Sequence, residues 1–166
     1  MQKTKNLVLT GMFIALSAAG AAIKLPSPTG TVAFDSAPGF LAALFLGPGY
    51  GAVTAALGHL FTGFLAGFPL TLPLHLIIAL EMAVFAWVYG RLKRFSLPLA
   101  VVAATLLNGI VAPASFIPLP QFGFGFFAAM VIPLLSASFA NVALAALVYR
   151  AVAAVFKPDE ASLSNR

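Results

Sequence analysis

The length of the uncharged apolar runs is the feature that most constrains this chain. A helix needs about 20 apolar residues to cross the hydrocarbon core of a bilayer, and several runs approach that length. Only 8% of the residues are charged and the mean hydropathy is +1.05, whereas soluble domains carry about 25% charged residues. The runs are continuous, while the strands of a membrane β-barrel alternate between polar and apolar residues. The sequence therefore predicts an all-α integral membrane protein.

Proline- and glycine-rich breaks divide the apolar sequence into a bundle of six transmembrane helices, of which the second is too short to cross the bilayer unaided. We expect these helices at about residues 6–23, 37–46, 52–65, 72–89, 97–111 and 125–156. The organisation predicted is a single transmembrane domain over residues 1–156, followed by a short polar tail over residues 157–166.

The distribution of lysine and arginine predicts the orientation of this bundle. Every basic residue except Lys24 falls on one side of the predicted segments. Cytoplasmic loops of membrane proteins carry an excess of basic residues, so both termini and the loop at Arg91–Arg94 are expected in the cytoplasm. Three loops rich in proline and glycine, at residues 24–36, 67–71 and 113–123, then share the outer face.

Motifs for the common catalytic chemistries are absent from the sequence. There is no cysteine, so neither a thiolate metal site nor a cysteine nucleophile exists. Neither the nucleotide-binding P-loop nor the metalloprotease and serine-hydrolase motifs occur. We therefore expect no enzymatic activity, no metal and no cofactor in this chain, and binding of a small solute rather than its conversion.

Polar side chains within the apolar segments are the candidate binding residues, because such side chains are costly inside a membrane and need a partner or a wet cavity. Together with an aromatic neighbour, the expected substrate contacts are Phe34, Asp35, His59, His75, Glu81, Asn108 and Asn141.

Structural roles are the alternatives for these residues. The asparagines, with Ser138, could form hydrogen bonds between helices. Glu81 could pair with either histidine. Asp35 could cap the helix that follows it.

The first helix carries Gly11, Ala15 and Ala19 at four-residue spacing. Such a stripe of small residues allows another helix to approach closely. The approaching helix could belong to this chain or to a partner.

The run Gly30-Thr-Val-Ala-Phe-Asp-Ser-Ala-Pro-Gly-Phe40 is followed by Leu46-Gly-Pro-Gly-Tyr-Gly51, Gly58-His-Leu and Gly67-Phe-Pro-Leu-Thr-Leu-Pro-Leu-His75. With the alanine stripe, the long first outer loop and the truncated second segment, these runs resemble the substrate-binding S component of energy-coupling factor (ECF) vitamin transporters. The subgroup most similar is the one assigned to α-ribazole, a nucleoside precursor of cobalamin.

This resemblance implies a ligand held between the outer loops and the helices, and a membrane scaffold subunit docked on the first helix at Gly11, Ala15 and Ala19. It also implies two cytoplasmic ATPases, so ATP would be used by the partners. No nucleic acid is expected, and the predicted location is the cytoplasmic membrane of a bacterium.

The leading functional hypothesis is therefore the substrate-specific subunit of an ECF importer that captures a vitamin or vitamin precursor from the outer face. A proton-coupled carrier of small solutes that works without ATPases is the alternative. An intramembrane enzyme acting on lipid or isoprenoid substrates is a third hypothesis.

Overall fold

The structure is a computed structural model that describes residues 2–24, 26–28 and 32–155. Within these ranges the chain is helical, apart from loops and one isolated bridge between Lys24 and Ala33. The predicted tail and the predicted helix end at Phe156 lie outside the described residues. The predicted six-helix bundle is confirmed: α1 (Gln2–Gly20), α2 (Ala37–Phe45), α3 (Pro48–Leu65), α4 (Leu72–Leu92), α5 (Leu97–Ala114) and α6 (Gly123–Val155).

Three of the helices in the described ranges, α4, α5 and α6, are long and apolar enough to cross a membrane. Helix α1, whose first turn carries Lys3 and Lys5, is less hydrophobic than these three helices, and α3 carries His59 among glycines and threonines. The nine residues of α2 cover about 14 Å at 1.5 Å per residue. That is less than half the hydrocarbon thickness of a bilayer, which is about 30 Å.

The predicted start of α3, at about residue 52, is wrong by four residues. The helix begins at Pro48, directly after Gly47, which has a φ of 103°. Proline suits the first position of a helix because its φ is already helical and its missing N–H would have no partner there. Only Leu46 and Gly47 therefore separate α2 from α3, because Pro48 and Gly49 already belong to α3.

Glycines bring the backbones of α2 and α3 into direct contact. A Cβ atom added to Gly39 would lie 2.8 Å from Cα of Ala55, and one added to Gly51 would lie 2.8 Å from N of Ala43. Only a residue without a side chain fits at either position. The same α3 also packs against α1 and α4, so it occupies the centre of the N-terminal half of the bundle.

Side chains from other elements hold both ends of α2. Helix ends leave backbone N–H and C=O groups without intrahelical partners. The side-chain oxygen of Asn141 in α6 accepts a hydrogen bond of 2.8 Å from the Ala37 N–H. At the other end, Lys93 Nζ donates a bond of 2.8 Å to the Leu44 carbonyl and lies 4.0 Å from the ring centroid of Tyr149.

Replacing Lys93 with methionine should lower the free energy of unfolding by about 2 kcal/mol. The variant loses a hydrogen bond from a charged donor, worth about 1.5–3 kcal/mol, and the contact between the ammonium group and Tyr149. Thermal unfolding of the purified chain in detergent would measure the loss. The matched control is Arg94→Met, which removes an exposed charge from the same loop. An equal loss in both variants would show that net charge, rather than the bond to Leu44, is responsible.

Candidate functional site

A cavity of about 350 Å³ lies among the helices at the end of the bundle where the three predicted outer loops meet. Its wall includes residues from the α1–α2 segment, from the loop between α3 and α4, and from the end of α5. Small-molecule sites are concave, mostly apolar and about 300–1,000 Å³ in volume. The cavity therefore has the size and the composition of a site for one small organic molecule.

The segment between α1 and α2 lies across one side of the cavity. Its Lys24–Ala33 bridge is accompanied by a hydrogen bond of 3.1 Å from the Phe34 N–H to the Ile23 carbonyl. The backbone of Phe34 rests directly on Gly20, where a Cβ atom would clash with the Phe34 carbonyl. This close approach places the backbone of residues 32–36 against the end of α1.

Asn141 attaches this segment to α6. Its Nδ2 donates bonds of 2.9 Å to the carbonyls of Ala33 and Ala137, while its Oδ1 accepts from the Ala37 N–H. The side chain is 1% exposed, so both amide hydrogens and one acceptor position are used within the protein. The geometry gives Asn141 the structural role that the sequence left as an alternative, although it also lines the cavity.

Asp35 lines the cavity beside Thr62 of α3. Thr62 Oγ1 lies 3.0 Å from Asp35 Oδ2 and 3.0 Å from the His59 carbonyl. A hydroxyl has one proton, so it can donate to only one of these acceptors. Burial raises the pKa of the Asp35 carboxyl from its usual value to about 6, and a proton on this carboxyl would let Asp35 donate to Thr62.

The two histidines contact each other. His59 Nε2 in α3 and His75 Nδ1 in α4 are 3.0 Å apart, and the two rings are stacked with their centroids 5.1 Å apart. His75 is 3% exposed, and the ring of Phe68 packs edge-on against the His75 ring, with the two ring centroids 5.4 Å apart. Gly63 makes room for the pair, because a Cβ atom there would lie 3.0 Å from His75 Nδ1.

A π-helical turn in α5, Leu107–Val111, places Asn108 in the wall of the cavity. π-Helical turns are rare in proteins, and those that occur are often found at functional sites. The next residue, Gly109, packs on α6 so closely that a Cβ atom would lie 2.8 Å from Cα of Leu135. The extra residue of the π turn and the glycine together fix where Asn108 lies, which hydropathy could not predict.

One face of α6 supplies an apolar wall. Phe126, Met130 and Leu134 recur every four residues along the helix, followed by Ser138 and Asn141. Phe126 belongs to an aromatic cluster with Phe116 and Phe122, whose ring centroids are 4.7–5.9 Å apart. Phe126, Met130 and Leu134 are not among the contacts expected from the sequence, although a spacing of three and four residues indicates one helix face.

The structure brings five of the seven expected contacts to the cavity: Asp35, His59, His75, Asn108 and Asn141. Phe34 and Glu81 are not among the lining residues. Glu81 is half-buried in α4, and its Oε2 atom has no hydrogen-bond partner within the described ranges. Its neighbour Met82 lines the cavity instead.

The small residues of α1 face outward. Gly11, Ala15 and Ala19 are all exposed, and a Cβ atom added to Gly11 would meet nothing within 4 Å. The other side of the same helix holds Ser17, whose hydroxyl lies against Gly58 of α3. Contact with α3 therefore involves a different face of α1 from the small-residue stripe.

Comparison with known proteins agrees with this architecture. Residues 5–153 match the family model for the ECF transporter substrate-specific component. No curated protein gives a significant match to the chain. A solved structure of the S component of a bacterial ECF transporter superposes with a TM-score of 0.75 and 21% identity, covering 94% of this chain and 99% of the other.

A six-helix bundle, with three helices long and apolar enough to cross a membrane and a solute-sized cavity at one end, has the architecture of a membrane protein that binds a small molecule. Because the family model covers most of the chain, this protein belongs to the substrate-specific components of ECF transporters. Members of this family are binding subunits that work with a scaffold subunit and ATPases.

Proposed function

We propose that this chain captures a flat, ring-bearing vitamin or vitamin precursor from the outer face of a bacterial cytoplasmic membrane, with α-ribazole as the first candidate. The observation that carries this proposal is the cavity itself: an apolar and aromatic wall on α6 faces a small set of polar groups at the end formed by the outer loops. α-Ribazole combines a flat bicyclic ring with ribose hydroxyls, which matches such a division between apolar and polar surfaces.

The proposal includes the partners of the complex. The exposed stripe of Gly11, Ala15 and Ala19 would dock on the membrane scaffold subunit, because small residues allow close helix contact. Two cytoplasmic ATPases would then supply the energy, and this chain would need no cofactor of its own. Both termini would lie in the cytoplasm, as the basic residues predict.

Calorimetric binding to the detergent-purified chain, without ATP or partners, tests the proposal. The probes are α-ribazole, thiamine, riboflavin, biotin and hydroxymethylpyrimidine. Nanomolar binding of α-ribazole alone would support the proposal. Tight binding of another probe would show that the proposed ligand is wrong and that the proposed receptor function is right. Solute uptake by the chain alone that an uncoupler abolishes at constant ATP would instead favour the proton-coupled carrier.

Asp35→Ala should weaken binding of the ligand at least ten-fold, which corresponds to about 1.4 kcal/mol. The substitution removes a half-buried carboxyl group from the cavity wall, together with its 3.0 Å contact to Thr62 Oγ1. A site that hydrogen-bonds its ligand loses affinity when such a group is missing. Asp35→Asn is the matched variant, since it preserves the shape and the acceptor. Unchanged affinity in a folded Asp35→Ala variant would show that Asp35 does not contribute to ligand binding.

A further inference from the structure

Two residues that line the cavity each carry a buried polar atom with no hydrogen-bond partner among the described residues: His75 Nε2 in α4 and Ser138 Oγ in α6. Both residues line the cavity, and they are only 3% and 1% exposed. Buried polar groups in native proteins are almost always hydrogen-bonded. An unpartnered group has lost its hydration without compensation, so a ligand that bonds to it gains the missing interaction.

The contact between the histidines determines what His75 can offer. His59 Nε2 and His75 Nδ1 are 3.0 Å apart, so one of them carries a proton and the other accepts. In a neutral imidazole the two ring nitrogens have opposite roles. If His59 donates to His75, then His75 Nε2 carries a proton and is a donor. If His75 donates to His59, then its Nε2 is an acceptor.

The remaining walls are uncharged. Of the Asp, Glu, Lys and Arg residues that the structure describes, only Lys24 and Asp35 line the cavity, and both lie in the segment between α1 and α2. Helices α3 to α6 therefore contribute no acidic or basic side chain to the wall other than the two histidines. A ligand group that meets α4 and α6 is recognised by hydrogen bonds and not by an ion pair with a carboxylate, lysine or arginine.

We propose that His75 Nε2 hydrogen-bonds a ring heteroatom of the substrate, and that His59 is a positioning residue that sets whether this nitrogen donates or accepts. The inference rests on the proposed function and deepens it. The substrate class is a nitrogen heterocycle with its ring edge at His75 and a second polar group, such as a hydroxyl, at Ser138.

Nitrogen NMR of the full-length chain in lipid nanodiscs tests the proposal. The sequence contains only two histidines, so labelling histidine with ¹⁵N gives four ring-nitrogen signals, and long-range couplings distinguish protonated from unprotonated nitrogens. Without ligand, one of the two facing nitrogens should be protonated and the other unprotonated. Facing nitrogens that are both protonated or both unprotonated would overturn the proposal.

The same sample gives a second test when a ligand is added. The probe is whichever of α-ribazole, thiamine or hydroxymethylpyrimidine binds by calorimetry, and the His75 Nε2 signal should shift on binding. A bound probe that leaves all four signals unchanged would overturn the inference. If α-ribazole fails but another heterocycle binds and shifts His75, the ligand named under the proposed function is wrong and this inference stands.

Variants of His59 separate positioning from packing. His59→Leu removes the hydrogen bond to His75 and should weaken binding about ten-fold, whereas His59→Gln preserves a polar atom near Nε2 and should stay within about three-fold of the natural protein. Ser138→Ala should weaken binding about five-fold, since a neutral hydrogen bond is lost. Equal affinities for the leucine and glutamine variants of His59 would contradict its positioning role, because filling the space alone would then be sufficient.

Discussion

Gly51→Ala is expected to lower the free energy of unfolding by about 3 kcal/mol, one of the two largest effects predicted for this protein. The added methyl group would collide with the backbone of Ala43, and an atom of a helix backbone cannot move aside as a flexible side chain does. Overpacking of a dense core costs about 1–3 kcal/mol, and the upper end applies here because α2 and α3 would have to separate. Thermal or denaturant unfolding of the purified chain in detergent measures the loss.

Gly49→Ala, two residues earlier in α3, is the matched control. A Cβ atom there would meet nothing within 4 Å, and alanine favours a helix over glycine by up to about 1 kcal/mol. This variant should therefore be as stable as the natural protein or slightly more stable. Similar losses in the two variants would show that the contact between α2 and α3 is not the cause.

The other large effect is expected for Asn141→Leu, which should reduce the stability by about 4 kcal/mol. Leucine fills a similar volume but leaves the Ala37 N–H and the Ala33 carbonyl without their partners, at about 1–3 kcal/mol for each buried group. Ligand affinity should also fall at least ten-fold, because residues 33–37 are no longer attached to α6. Unfolding and calorimetry on the same preparation measure both quantities.

Ser136→Ala provides the control on the same helix. This exposed hydroxyl donates to the Ile132 carbonyl one turn earlier, and surface substitutions usually change stability by less than about 0.5 kcal/mol. If Asn141→Leu kept its stability and its affinity, the segment between α1 and α2 would have to be held by other contacts.

Hydropathy and the positions of helix-breaking prolines and glycines were sufficient to predict the number of helices and the short α2. These signals depend only on local sequence and on the thickness of a bilayer. The Gly-Pro-Gly run predicts a break before residue 52, whereas Pro48 occupies the first position of α3 and begins the helix. The apolar wall at Phe126, Met130 and Leu134 could have been predicted from its periodicity, since the three positions recur on one face.

The sequence could not predict how each helix is rotated about its own axis, and therefore which of its residues face the cavity. Glu81 and Met82 are adjacent, but successive residues point about 100° apart around a helix, and only Met82 lines the cavity. The contact between His59 and His75 likewise depends on which helices are neighbours and on how each is turned. For the same reason the alternative of a pair between Glu81 and a histidine could be raised from the sequence but not decided.

The attachment of α2 at both ends also restricts how its length can vary during evolution. Asn141 holds Ala37 and Lys93 holds the Leu44 carbonyl, so the two anchors are separated by a fixed number of residues. Inserting one residue would turn the far end by about 100° and shift it by 1.5 Å, and one of the anchors would be lost. Alignments of relatives should therefore place insertions and deletions in the surrounding loops and keep residues 37–45 free of gaps.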